Sequence, residues 1–171
     1  RQAAIAQKVG EASREPFHLS VKLDRLALKD GVSIAPFALE AGGIGNRLGA
    51  LALSGNLSPT ATVTGSFDAA DGDRHLDFAT SGAGLLAKGL LGFTSMKGGK
   101  LTLTVTLPGA VDGGDAAPGT PDYKGRLVVR DFMMVNQPFL SRLFAAGSLT
   151  GFIGLMQGEG ISFDKMEVPF S

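Results

Sequence analysis

Along most of this chain apolar and polar residues alternate, the period expected of half-buried β-strands. In "FHLSVKL" the residues Phe17, Leu19, Val21 and Leu23 fall on one face of a predicted strand. The phase slips at Asp24–Arg25 before Leu26 and Leu28 resume it, which predicts a bulge or a bend. "KDG" (Lys29 to Gly31) reads as a hairpin turn, because glycine accepts positive φ at little cost. A second strand carries Val32, Ile34, Phe37 and Leu39; Pro36 inside it cannot donate to a ladder and belongs at an edge or a bulge. "AGGIGN" reads as loop. "LGALALSGNL" and "ATVTGSFDA" predict two further strands with "SGNLSP" as their turn, and "DGDR" then turns the chain into a strand at "HLDFAT".

The alternation breaks at "SGAGLLAKGLLGF". There Leu86, Leu90 and Phe93 stand at i, i+4 and i+7, a helical stripe weakened by Gly89 and Gly92. Period two returns in "KGGKLTLTVTLPG", with Leu101, Leu103, Val105 and Leu107 on one face and threonines on the other. A loop, "GAVDGGDAAPGTPD", leads to a strand at "YKGRLVVRDFMMV". Two more helical segments follow. Leu140, Leu143 and Phe144 share the face of one, with Pro138 near its first turn. Ser148 is a fitting N-cap for the other, which carries Leu149, Phe152, Ile153 and Met156 at i, i+3, i+4 and i+7. "QGEGISFDKMEV" then turns into a last strand. Helix, "KGGK" and alternating strand thus recur as helix, "QGEG" and alternating strand, the mark of a repeated supersecondary unit.

The fold expected is mainly β, an antiparallel meander of about eight strands with two or three short capping helices. Residues 1–16 read as a linker or short helix and 17–171 as one β-rich domain, a size sufficient to bury a core without metals or disulfides. The chain begins at Arg1 rather than Met and stops at "MEVPFS" as a strand is starting, which points to a piece of a longer protein. Any anchor or export signal would lie outside it.

Composition narrows the chemistry. The 16 basic and 16 acidic residues cancel, and no basic run offers the phosphate-neutralising surface that nucleic-acid binders need. With no cysteine there is no disulfide, thiolate metal site or cysteine nucleophile. No apolar run reaches the ~20 residues of a membrane span. "GEGISF" lacks the third glycine of a dinucleotide loop, and its order is helix then strand, so an anion would meet the negative end of the dipole. In "DAADGDRHLD", Asp68, Asp71, Asp73 and Asp77 lack the spacing of a calcium loop and read as solvated turn residues. His18 and His75 are too few for a zinc site, and no G-x-S-x-G elbow is present. No cofactor is expected. The helices at 138–156 lack the Lys- and Arg-rich face of a membrane-surface helix. They read either as a hairpin closing one end of the sheet or as the lining of a groove for a greasy ligand.

One long stretch carries a resemblance. "GKLTLTVTLPG … YKGRLVVRDFMMVNQPFLSRLFAAGSLTGFIGLMQGEGISFDKMEVPF" resembles the AsmA-like C-terminal region of bacterial envelope proteins, the superfamily that includes AsmA, YhdP and TamB. The matching pattern runs through Asp131, Pro138, Leu140, Leu143, Ser148, Leu149, Gly158, Gly160, Ile161 and Phe163, and more loosely through Gly84, Leu86, Gly98, Gly99 and Leu101. Ser81 and Gly82 stand where the pattern often has an aspartate, and the first 80 residues agree in style only.

The resemblance implies a periplasmic, usually inner-membrane-anchored protein without catalytic residues. It implies a long curved antiparallel sheet, an open groove or partly closed barrel whose apolar interior shields phospholipid acyl chains in traffic to the outer membrane. The candidate lipid contacts are Leu101, Leu103, Val105, Leu107, Leu140, Leu143, Phe144, Leu149, Phe152, Ile153 and Met156. The partners implied are a phospholipid or other acyl-chain lipid and the remaining domains of the same chain, with a homo-oligomer through sheet edges as a further option. A structural or assembly module of the envelope, without lipid, is the alternative. A hydrolase would require several polar groups converging on a pocket.

Overall fold

A computed structural model of the chain describes residues 15–69, 72–108, 123–135 and 160–171. Eight strands form one open antiparallel sheet, not closed into a barrel. In chain order the elements are β1 (Pro16–Leu23), β2 (Leu26–Ala27), β3 (Ser33–Ile34), β4 (Phe37–Ile44), β5 (Arg47–Ser58), β6 (Ala61–Asp68), β7 (Arg74–Thr80), α1 (Ala83–Leu91), β8 (Met96–Leu107), β9 (Lys124–Met134) and β10 (Ile161–Phe170). The large sheet runs β1-β4-β5-β6-β7-β8-β9-β10, every neighbour antiparallel, and β2 and β3 pair separately as a small hairpin around a 3₁₀ turn at Lys29–Gly31.

The meander and its strand count are as the alternation predicts, but several boundaries differ. "AGGIGN" is mostly strand: Ala41–Ile44 belong to β4, and only Gly45 and Asn46 turn. "SGNLSP" is not the turn either, since β5 runs on to Ser58 and the chain reverses at Pro59–Thr60. Pairing with β1 and β5 in the first case, and with β4 and β6 in the second, outweighs the local turn preference of these small residues. The strand expected over Val32 to Leu39 is two strands in different sheets, divided at a cis Ala35–Pro36 bond. "KGGK" lies inside β8 rather than between helix and strand; Gly98 (φ 65°) and Gly99 (φ 89°) kink it opposite Asp131 (φ 54°) of β9. The final "MEVPF" is the second half of a ten-residue strand.

The core sits at one end of the sheet. The β1–β4 connection and the β7–β8 connection both lie there, where Leu23, Phe37, Thr80 and Met96 end or begin their strands. Val63 and Val129 are fully buried, Val129 in a cluster with Ala83 of α1 and Phe132 of β9, and Leu86 of α1 and Val32 and Ile34 of the small hairpin are buried as well. Thr80 is the buried polar residue there. Its hydroxyl donates to the Thr62 carbonyl (2.7 Å) and accepts the Gly82 N–H (3.0 Å), so the chain enters α1 with these groups satisfied. Nine residues cannot hold a helix alone, so α1 exists by packing, and Gly92 (φ 71°) closes its last turn. Its buried stripe differs from the expected one: Ala83, Gly84, Leu86 and Gly89 face the sheet and hairpin, whereas Leu90 and Phe93 are exposed. Small residues dominate that face because the Met96 carbonyl lies 2.6 Å from where a Cβ on Gly84 would stand. It is the one α-helix among the described residues; the segment expected at 138–156 falls outside them, as does the N-terminal one up to residue 14, while Pro16 already opens β1.

Candidate functional site

The strand registers stack the apolar positions of eight strands into continuous rows. One row reads Val21, Leu39, Leu53, Gly65, Phe78, Leu103, Leu127 and Val168. The row toward the capped end reads Leu23, Phe37, Gly55, Val63, Thr80, Leu101, Val129 and Met166. On the far side lies Leu19, Ala41, Leu51, Phe67, Leu76, Val105, Gly125 and Phe170. The glycines leave no gaps, because Ile34 lies over Gly55, Leu53 and Phe78 close on Gly65, and the Phe170 ring covers Gly125.

Burial falls away from the cap. In the first row to meet α1 and the hairpin, Val63 and Val129 are buried; in the other two, the leucines and phenylalanines at the centre of the sheet are only half-buried. Toward the two edges Leu19, Leu23, Met166 and Val168 are exposed. The result is a lipophilic sheet face, dry at one end and accessible over the rest. Eight strands at about 4.8 Å spacing make it about 34 Å wide.

Of the candidate contacts, Leu101, Leu103, Val105 and Leu107 all lie on this face, half-buried, with Thr102, Thr104 and Thr106 exposed opposite. Leu140, Leu143, Phe144, Leu149, Phe152, Ile153 and Met156 lie outside the described residues. Pairing adds residues not singled out from sequence: Phe78 and Leu127 flank Leu103, and Leu76 flanks Val105. Each strand's alternation showed which residues share a face; only the register shows which strands are neighbours.

The opposite face is polar and builds no convergent site among the described residues. Two shallow depressions of about 230 Å³ lie on it, one lined by Thr64, Ser66, Asp77, Thr102 and Thr104, the other by Ser54, Asn56, Thr62 and Thr64. His75 Nδ1 lies 3.3 Å from the Thr106 hydroxyl. On the β1 side, Ser20 donates to Glu40 Oε1 (2.6 Å), and His18 Nε2 lies 3.0 Å from Glu40 Oε2. A serine, a histidine and a carboxylate are thus adjacent, but the carboxylate stands between the other two. Nucleophile activation needs the imidazole in that position, within reach of the hydroxyl. Ser20 and His18 are exposed on the edge strand and Glu40 is half-buried on β4 beside them, a geometry that gives the serine no base.

No group of three metal-ligating side chains occurs among the described residues. At the other edge Glu167 is ion-paired with Lys165 and with Arg126 (3.3 Å). Its carboxyl is held below the usual glutamate value by the hydrogen bond from Lys165, then by the charges of Lys165, Arg126 and Arg130. Among the described residues no helix is long and apolar enough to cross a membrane. No protein-family profile, curated protein or solved structure matches this chain.

Proposed function

We propose that this chain is a non-catalytic lipid-shielding segment of a bacterial envelope protein, taking part in phospholipid transport between the inner and outer membranes. The observation that carries the reading is the accessible apolar face of eight-residue rows, most of it beyond the reach of α1 and the hairpin. A phospholipid acyl chain spans about half of a ~30 Å hydrocarbon core. The rows, about 34 Å long, therefore accommodate one acyl chain with room for a second end to end. Affinity would come from burial of methylenes at about 0.8 kcal/mol each, with Phe78, Leu103 and Leu127 at the centre of the contact. The polar headgroup would stay in water. The resemblance to the AsmA-like region supports the same reading and the periplasmic setting, with the parent protein anchored in the inner membrane.

The test is lipid mass spectrometry on the chain purified from bacterial envelope without detergent, followed by crosslinking with a diazirine-bearing fatty acid. Reproducible phospholipid, and crosslinks on residues of the Leu103 row that are lost in Leu103→Asp, are expected. A lipid-free chain, or crosslinks spread equally over the threonine face, would overturn the reading and favour an envelope assembly module.

A further inference from the structure

We infer that β1 is a pairing edge for a second copy of this chain, the two β1 strands meeting antiparallel about a two-fold axis that passes beside Ser20. The inference is independent of any bound lipid.

The backbone supplies the first observation. The Glu15 carbonyl accepts the Gly45 N–H at 2.8 Å, so residues 15, 17, 19, 21 and 23 direct their backbone groups toward β4. His18, Ser20 and Lys22 then present theirs to the outer edge, which no described strand covers. β1 holds no bulge and no internal proline, the usual devices that blunt an edge. The opposite edge is blunted. The same alternation carried across the sheet turns Lys165, Glu167 and Pro169 of β10 outward, and Pro169 has no N–H to give.

The second observation is self-complementarity, which a two-fold interface requires. "FHLSVKL" reads alike in both directions about Ser20: Phe17 mirrors Leu23, His18 mirrors Lys22 and Leu19 mirrors Val21. With Ser20 opposite its own copy, all three outward residues find ladder partners. Phe17, Leu19 and Leu23, each exposed in the single chain, meet apolar residues across the seam. Moving the axis by two residues sets Lys22 against its own copy or spends a position on Pro16, and moving it by one sets His18 opposite Asp24, beyond the strand, or Lys22 opposite Pro16. The charges also match. Lys22 of each copy comes opposite His18 of the other, beside the carboxylate of Glu40 that holds His18. The distance from that strand to β4 is two spacings, about 9.6 Å, which a lysine and a glutamate together bridge. An axis normal to the sheet keeps both apolar faces on one side, so the lipophilic face doubles in width.

Analytical ultracentrifugation of the full 171-residue chain at about 0.1 mM, where small interfaces still associate, should show twice the 17.6 kDa monomer mass. Ser20→Pro, whose lost N–H faces outward, should return the monomer with an unchanged circular dichroism spectrum; Glu167→Pro should remain a dimer. Because the chain has no cysteine, Ser20→Cys gives a direct probe. Facing residues of a hydrogen-bonded pair lie about 5.5 Å apart between Cα atoms, within disulfide range. Ser20→Cys should therefore oxidise to a covalent dimer far faster than Thr104→Cys on the open polar face. A monomeric wild type, equal rates for the two cysteine variants, or assembly abolished by Glu167→Pro would each overturn the inference.

Discussion

The closeness of α1 to β8 makes Gly84→Ala the most informative stability variant. A Cβ built on Gly84 would stand 2.6 Å from the Met96 carbonyl oxygen, 3.1 Å from its carbon and 3.2 Å from the Gly98 nitrogen. All three are backbone atoms of β8, held by the pairing of Met96 and Gly98 with β9, so no side chain can swing aside. Alanine is the better helix former by up to about 1 kcal/mol, a gain reduced here because Gly84 lies in the first turn. Against it stands an overpacking cost of about 1–3 kcal/mol, with the upper part of that range fitting a rigid neighbour. The net expectation is a loss of about 1–2 kcal/mol. The alternative to absorbing the strain is for α1 to lift, exposing Ala83, Leu86 and Val129, all now buried. That route costs at least as much, since the helix has no stability of its own at nine residues. Urea unfolding followed by circular dichroism is the assay. With a slope of about 2 kcal/mol per molar, the midpoint should fall by about 0.5–1 M at unchanged slope. Gly89→Ala sharpens the comparison, because its tightest contact is the end of the Leu28 side chain at 2.9 Å, which can adjust, with Val32 at 3.0 Å and no backbone atom among the nearest. It should cost less than Gly84→Ala. Equal or higher stability of Gly84→Ala would refute the tight docking of α1 on β8.

Two other predictions rest on local geometry. Asp131 is a non-glycine residue with φ 54°, in the left-handed region where a Cβ crowds the carbonyl. Asp131→Gly should be neutral or slightly stabilising in urea unfolding, whereas Asp131→Val should cost about 1–2 kcal/mol; the reverse order would remove the kink shared by β8 and β9. Glu167 should titrate in carbon-13 NMR below the ordinary 4.5, and Lys165→Met should raise it toward that value. Because its folded value is depressed, the pairing contributes stability above the ordinary glutamate range and loses it as pH falls through the folded value. The ion pairs lie at the sheet surface, so screening by salt should shrink the effect.

The strands were legible wherever one face is apolar and the other polar. "LTLTVTL" and "VKL" needed no tertiary information, because a period of two fits only an extended chain with one wetted side. The segments of small residues that locally favour turns but pair as strands share one cause. Ala, Gly, Ser and Asn in "AGGIGN" and "SGNL" have weak preferences of their own, and neighbouring strands on both sides decided their state. The glycines of "KGGK" were noticed as punctuation but not as a kink, since the close partner that calls for them, Phe132 beside Gly99, is more than thirty residues away. Likewise the helical stripe of Leu86, Leu90 and Phe93 followed the period correctly while the buried face is set by Gly84 and Gly89, where backbone and hairpin approach too near for larger residues.

What the order of residues settled alone is the class of fold and its chemistry: period-two alternation in strand after strand, balanced charge, and no cysteine to form a thiolate site. What waited for the tertiary structure is the surface. Alternation places Leu103 on a face, but hydrogen-bonded register places Phe78 and Leu127 beside it, and the connections that carry the small hairpin and α1 leave one end of that face dry and the rest accessible. Side-chain period is a property of one strand. Adjacency, edge and cover are properties of the whole sheet, created by contacts between residues far apart in the chain.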